Sequence, residues 1–353
     1  MFLIGQEEIA RFLSSQGADA LWVQKDENCR YIGGFTGSDS FLFLTPGENY
    51  LLTDSRYTAQ AEKEATGFHV IDYAGKLAAK AGELCRKHHV KKFGIEPVMS
   101  YKMYLALHEE IPDAEFIFCE TDTLRQIKSE AEIACIAEAC RISDAGFRNI
   151  IPLISEGRTE AELRCALECA MMEAGSEGKS FDTIVASGEN GAYPHATVTD
   201  KAIAKGEMVT FDFGAIYKGY HSDITRTVAV GELDARKRFL WQSVYDCVAH
   251  VEARLKEGMT GCEADRLARA FLKEKNLDMY FGHALGHSVG LEIHETPVLA
   301  EREKTALQSG TVITVEPGVY IPGTGGVRIE DTTVIRKDGI SILTKFPKEL
   351  LCL

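Results

Sequence analysis

Three histidines fall within twelve residues of one glycine-rich stretch: His283, His287 and His294, in Phe281-Gly-His-Ala-Leu-Gly-His-Ser-Val-Gly-Leu-Glu-Ile-His-Glu295. Neutral imidazole ligates metals and carries protons near pH 7, and glycine lets backbone approach a ligand closely. Taken alone, the stretch reads equally well as a Gly/His loop with no metal. Four carboxylates elsewhere change the balance. Asp212 lies in the apolar run Val209-Thr-Phe-Asp-Phe, and Asp223 opens Ile224–Val230. Glu316 ends Val312-Ile-Thr-Val, and Glu330 follows Gly326-Val-Arg328-Ile. A buried carboxylate is costly unless it is paired or bound to a metal. Pairing, for example of Asp223 with Arg226, is the structural alternative at one site. Repeated four times beside a histidine, it is a poor explanation. Divalent ions such as Mn²⁺, Co²⁺, Zn²⁺ or Fe²⁺ accept a carboxylate-rich set with one imidazole. Five ligands exceed the needs of one tetrahedral ion, so two ions sharing carboxylates fit better. Such a pair lowers the pKa of a bridging water and stabilises a developing oxyanion.

These residues need strands to carry them. A hairpin between Phe213 and Ile224 would bring Asp212 and Asp223 together, and alternation puts Arg328 and Glu330 on one face of a strand. Upstream, Ser129 with Glu132 makes a capping box for a helix running to about Ile150, ended by Pro152. A second helix is expected from about Thr159 to Ala174. The first 120 or so residues alternate strand-like runs (Ala20–Val23, Phe41–Leu44, Tyr50–Leu52) with helical stretches at roughly 56–65, 75–88 and 101–110, an α/β layer pattern. Here Asp54 or Ser55 reads as a helix cap, and His88-His89 as a solvated helix end. No acid–base–nucleophile cluster appears in this half. A boundary near 120–128 gives domains 1–123 and 124–353, in line with a prior of ~150 residues per domain.

Composition narrows the class. With 39 basic and 53 acidic residues the net charge is −14, which disfavours nucleic-acid binding. No uncharged apolar run approaches the ~20 residues of a membrane span. The start Met-Phe-Leu-Ile-Gly lacks the basic region of an export signal. The ten cysteines have no CxxC pair and read as reduced cytoplasmic thiols; Cys135, Cys140, Cys165 and Cys169, in helical text, read as small core residues.

The order Asp212, Asp223, His287, Glu316, Glu330 resembles the metal set of the pita-bread metallopeptidases, the family (M24) of methionine aminopeptidase, aminopeptidase P and prolidase. The strings Thr-x-Asp-Phe-Gly, Ser-Asp-x-Thr-Arg-Thr, Gly-His-x-x-Gly-x-x-x-His-Glu, Glu-Pro-Gly-x-Tyr and Gly-Gly-Val-Arg-Ile-Glu-Asp carry it. The short Glu316–Glu330 spacing resembles prokaryotic prolidases and aminopeptidases P. Arg30-Tyr-x-x-Gly-Phe-Thr-Gly-Ser38 and Thr53-Asp-Ser-Arg-Tyr57 resemble that group's creatinase-like N-terminal domain. The resemblance implies an α/β N-terminal domain and an α+β pita-bread catalytic domain. It implies two divalent ions, Mn²⁺ or Co²⁺ first, with Zn²⁺ or Fe²⁺ as alternatives. In that scheme Asp212 is bidentate on one ion, Asp223 and Glu330 bridge both, His287 holds the second, and Glu316 completes it and acts on the water. His195, in Asn190-Gly-Ala-Tyr-Pro-His, matches a substrate-side histidine. His294 matches the histidine supporting the scissile carbonyl and tetrahedral intermediate. His283 matches the extra histidine of aminopeptidases P and prolidases, and Arg328 orients ligand carboxylates or substrate. The implied activity is hydrolysis of the Xaa-Pro bond at a peptide N-terminus by a cytoplasmic homodimer, with no membrane or nucleic-acid partner. The alternatives are a strict Xaa-Pro dipeptidase and a non-catalytic peptide-binding module on the same fold. Many prolidases carry Arg in His-Glu-x-Pro-Arg, where it can grip a dipeptide's carboxylate. Here the string is His294-Glu-Thr-Pro-Val298, which points toward longer Xaa-Pro peptides.

Overall fold

The computed structural model describes residues 4–353; Met1–Leu3, where the export-signal reading begins, lie outside them. The chain divides into two compact units, one up to Leu124 and one over Arg125–Leu353.

The first unit runs α1 (Gln6–Gln16), β1 (Ala20–Val23), α2 (Asp26–Gly33), β2 (Phe41–Leu44), β3 (Asn49–Thr53), α3 (Thr58–Glu64), β4 (His69–Asp72), α4 (Leu77–Lys87), β5 (Lys92–Ile95), α5 (Tyr101–Glu110) and β6 (Glu115–Phe118). Its sheet has the order β4-β3-β2-β1-β5-β6. Alternation along each strand builds two cores. Leu21, Val23, Leu42, Leu44 and Leu51 face α1–α3 residues such as Leu13, Ile32 and Ala61. Trp22, Phe43, Leu52 and Phe93 face Ala81, Leu84 and Leu107. Two local readings are corrected. Neither Asp54 nor Ser55 caps α3, whose N-cap is Tyr57 with no side-chain cap; the Asp54 carboxylate instead folds back on the Arg56 amide (2.9 Å) and guanidinium. His88 is the C-cap of α4, but it packs inward and meets the Tyr50 hydroxyl at 2.9 Å.

The second unit opens with α6 (Glu130–Ile150) and α7 (Glu160–Glu173), each with a complete capping box, on Ser129/Glu132 and Thr159/Glu162. Next come β7 (Ile184–Ser187), β8 (Glu207–Phe213), β9 (Ile216–Tyr217), β10 (Tyr220–His221) and β11 (Ile224–Val230), then α8 (Ala235–Glu252) and α9 (Gly261–Glu274). Seven strands close the chain: β12 (Gly286–Ser288), β13 (Glu295–Leu299), β14 (Val312–Val315), β15 (Gly318–Ile321), β16 (Gly325–Arg328), β17 (Asp331–Arg336) and β18 (Gly339–Ile342). The strands of this unit form sheets β11-β8-β7 and β13-β12-β14-β17-β18 and the pairs β10-β9 and β15-β16, all through antiparallel ladders. Phe211, Phe213, Ile224 and Val228 pack with Phe147, Leu163 and Leu167 of α6 and α7. Leu240, Val244, Ala268 and Leu272 of α8 and α9 pack with Ile313, Val315 and Val327. Apolar strand faces thus meet helices, and the polar faces are left to line a cavity. In α7 the buried stripe is Leu163, Leu167 and Ala170, so Cys165 and Cys169 fall outside it and are exposed; of the four thiols read as core, only Cys140 is buried and Cys135 is half-buried. Among the described residues no helix is long and apolar enough to cross a membrane.

Candidate metal centre and its cavity

The β8–β11 hairpin sets the first side chains. Its ladder pairs Asp212 with Thr225 and Phe213 with Ile224. Paired residues share a face, and so do residues two apart, so Asp212, Thr225 and Asp223 all project to one side. Arg226 points to the other side, where it bonds Asp331 at 2.8 Å. Alternation therefore forbids the Asp223–Arg226 pair and leaves Asp223 without that counter-ion.

Glu330 reaches the same side from a different route. The strand expected to carry Arg328 and Glu330 together is interrupted, since β16 ends at Arg328 and β17 starts at Asp331. Both side chains still converge on one hydroxyl. Thr225 Oγ1 donates to Glu330 Oε2 at 2.7 Å and accepts from Arg328 Nε at 3.1 Å. His287, in the short β12, and Glu316, just past β14, are held by Thr314. Its Oγ1 accepts from the His287 amide at 3.1 Å and donates to Glu316 Oε1 at 3.2 Å.

Donor atoms of Asp223, His287 and Glu330 all lie within 4.8 Å of one another. His287 Nε2 is 3.4 Å from Glu316 Oε1 and 3.5 Å from Asp223 Oδ2. Asp212 joins through its repulsion of Asp223, Glu316 and Glu330. Burial, then mutual repulsion, pushes Asp223 and Glu330 far above the carboxylate range, and burial pushes Glu316 up to about 8. Burial, followed by the nearby His294, pulls His287 down to about 4, so its imidazole is neutral and free to ligate. Asp212 Oδ1, Asp223 Oδ1 and Glu330 Oε1 are buried with no hydrogen-bond partner among the described residues. Orphaned carboxylate oxygens beside a neutral imidazole are the donor set that divalent cations take. The residues present therefore fit such ions.

All nine residues singled out in the sequence line one cavity of 630 Å³: Asp212, Asp223, His287, Glu316, Glu330, His195, His283, His294 and Arg328. His294 meets His287 edge to face, ring centroids 4.4 Å apart. The next residue, Glu295, is buried. Burial alone would raise its pKa, but Lys128 (2.8 Å) and Arg125 hold it down. His283 is pulled to about 4 by burial, its Nδ1–H set against the Ala284 carbonyl and its Nε2 against the Tyr320 hydroxyl, 2.9 Å away. The loop that carries His195 hangs on Glu160, a fully buried carboxylate that accepts from Ser187, Asn190 and Thr199. Every nitrogen of Arg328 is engaged by the protein. Nε reaches Thr225, Nη1 the Tyr320 hydroxyl (2.7 Å) and the Pro194 carbonyl (3.2 Å), and Nη2 Asp212 (2.5 Å).

Sequence reading passed over Thr225, Thr314, Tyr320 and Glu160. Two of them carried a signal: Thr225 and Thr314 stand two residues from Asp223 and Glu316, hence on the same strand face. Val298, weighed for substrate length, pairs with His287 on the neighbouring strand but does not line the cavity.

Residues 134–337 match metallopeptidase family M24, and residues 6–127 match the creatinase/prolidase N-terminal domain. The chain is 37% identical to an Xaa-Pro dipeptidase of Pyrococcus furiosus, over 98% of this chain and 99% of that one. Among solved structures it superposes on an Xaa-Pro dipeptidase from Bacillus anthracis with a TM-score of 0.96 at 40% identity, covering 99% of both chains. An X-Pro aminopeptidase from Thermotoga maritima gives 0.91 at 34% identity, again over 99% of both.

Proposed function

The chain belongs to metallopeptidase family M24, and from that premise we propose that it hydrolyses the Xaa-Pro bond of dipeptides. The observation that carries the reading is the convergence of Asp223, His287 and Glu330 at one end of the cavity, with orphaned carboxylate oxygens turned toward it. Asp212, Asp223, His287, Glu316 and Glu330 would hold two divalent ions, Mn²⁺ or Co²⁺ first. When bound, such ions lower the pKa of water and polarise a carbonyl.

The chain's own residues do the rest. Glu316, buried among the other carboxylates, is suited to take a proton from the attacking water and return it to the departing proline nitrogen. His294, exposed beside His287, donates toward the oxygen that becomes negative. His195 lines the same cavity and is assigned to the substrate. Neutral His283 has both ring nitrogens engaged, Nδ1 on the Ala284 carbonyl and Nε2 on the Tyr320 hydroxyl, so it shapes this wall of the cavity without adding charge. Arg328 keeps Asp212 fixed rather than gripping substrate, because its nitrogens are already committed. The proline imide has no N–H, so the site must hold the substrate by its carbonyl, amine and ring.

Dipeptides come first because relatives along the whole chain carry the name Xaa-Pro dipeptidase. The longer-peptide expectation rested on Val298, which does not line the cavity. Its support is the Thermotoga aminopeptidase of nearly equal likeness. A panel of Ala-Pro, Ala-Pro-Ala and Ala-Ala-Ala with Mn²⁺ or Co²⁺ separates the readings. Faster Ala-Pro cleavage is expected; faster Ala-Pro-Ala cleavage would restore the aminopeptidase, and no Xaa-Pro cleavage with metal bound would leave a binding module. A homodimer remains part of the proposal, and light scattering reporting 38.9 kDa would remove it.

A further inference from the structure

Away from the metal carboxylates, the same cavity has a second polar wall that the hydrolysis does not use. Arg164 and Glu168 of α7 face Lys179, Asp182 and Thr183 of the segment entering β7. Ile184, at the start of that strand, lies opposite Asp212 in the β7–β8 ladder. The wall therefore begins beside the metal cluster and leads away from it past Phe181. Lys179 is tied to Asp182 at 2.7 Å, and Arg164 is exposed, where solvent screens its charge. Glu168 Oε1 and Thr183 Oγ1, by contrast, are buried with no hydrogen-bond partner among the described residues, and Thr183 is only 4% exposed. A buried carboxylate oxygen without a donor is strongly disfavoured, so Glu168 Oε1 calls for a donor from a ligand, and the Thr183 hydroxyl, donor and acceptor both, is open to the same group.

On the Xaa-Pro reading above, on which this step rests, the substrate offers few donors. The proline ring has none, and the substrate carboxylate is repelled by Glu168. The α-ammonium is two bonds from the scissile carbonyl carbon and must stay at the metal cluster. Glu168 is outside that cluster, and its charge acts on Lys179. What remains is the side chain of Xaa. We infer that Glu168 and Thr183 end the subsite for the residue N-terminal to the scissile bond and select a side chain that ends in a cationic nitrogen, lysine or arginine. Its methylenes lie along Phe181 and Ile184 while the charged head reaches Glu168.

The test is kcat/KM for Lys-Pro and Met-Pro, chains of similar reach with and without the cation, in the wild type, Glu168→Gln and Thr183→Val. The wild type should prefer Lys-Pro. That preference should fall about tenfold in Glu168→Gln, as for loss of one charge-assisted bond, and severalfold in Thr183→Val. An unmoved ratio in both variants, with any loss shared equally by the two substrates, would overturn the inference and point to the α-ammonium or to structure. Thr183→Val gives an independent reading should Glu168→Gln fold poorly. Met-Pro cleavage with an unmoved ratio refutes this subsite alone, whereas a wild type that cleaves neither dipeptide refutes the Xaa-Pro reading and the subsite with it.

Discussion

Arg328 Nη2 lies 2.5 Å from Asp212 Oδ2, while Asp212 Oδ1 has no partner in the described protein. One oxygen of the carboxylate is thus fixed by a guanidinium and the other is left for an ion. Each carboxylate oxygen has two lone pairs, so the bond from Arg328 leaves Oδ2 as well as Oδ1 able to meet an ion, as the bidentate role implied for Asp212 requires. Arg328 is buried, and burial works against its charge, but Tyr320, Asp212 and Glu316 hold it protonated. It is a fixed positive charge set among four acids.

Arg328→Lys should therefore be far from conservative. Lysine keeps the charge but cannot bond Thr225, Tyr320 and Asp212 at once. Partners that orient metal ligands typically contribute 10–100-fold, so kcat/KM and metal affinity should each fall by ~10–100-fold. Titrating metal into the variant by calorimetry checks the second half. Unchanged affinity would confine Arg328 to a role toward substrate.

Chelation should lower stability. In the protein alone Asp223, Glu316 and Glu330 repel one another at burial, and ions that bind only the folded state stabilise it by mass action. At ~1,000 times the dissociation constant this is about 4 kcal/mol, a rise in Tm of about 8–16 °C for a unit of this size. Scanning calorimetry with Mn²⁺ against EDTA reads the shift, and Asp223→Asn should shrink it sharply. A Tm indifferent to both would mean that no ion is held here.

His294→Ala should retain metal and lose turnover. The ring touches His287 only edge to face and is otherwise open to the cavity. Loss of ~10²–10⁴ in kcat is expected for a donor to a developing oxyanion or a general acid. Metal content by atomic absorption, measured beside kcat, distinguishes this from a ligand role. Full activity would exclude His294 from the chemistry.

The candidate ligands were legible because each carboxylate stands out in an apolar strand, where only pairing or metal explains it. The hairpin joining Asp212 and Asp223 is local, so it too could be read. What brings Glu330 to them is not local. It is Thr225, 105 positions away, bonded to both Glu330 and Arg328, and no periodicity announces such a contact. The first helices were hidden for another reason. Asp26–Gly33 is short and closes on Gly34 with φ 73°, so its glycines looked like turn residues only. Cys165 and Cys169 were misplaced because helical text was read without its stripe, although Leu163 and Leu167 define one.

Glu160 tests how far such long-range support matters for catalysis. It sits in the first turn of α7, where a negative charge is favoured, and accepts from the Ser187 amide and hydroxyl (2.7 and 2.8 Å), Asn190 Nδ2 (2.8 Å), and the Thr199 amide and hydroxyl (3.0 and 2.7 Å). These residues bracket His195, which touches none of them in sequence but rides on the loop they pin. Glu160→Gln keeps volume, yet its amide nitrogen must face donors from one side or the other. Leaving a buried donor unmatched costs ~1–3 kcal/mol, so a Tm drop of about 2–12 °C is expected for a unit of this size. The functional signature is separate. If Glu160 acts by holding His195, the variant should bind metal normally at a temperature where it is folded, show a raised KM for Ala-Pro, and resemble His195→Ala, with the double variant no worse than either alone. Additive losses in the double variant would show that Glu160 contributes to stability but not to the placement of His195.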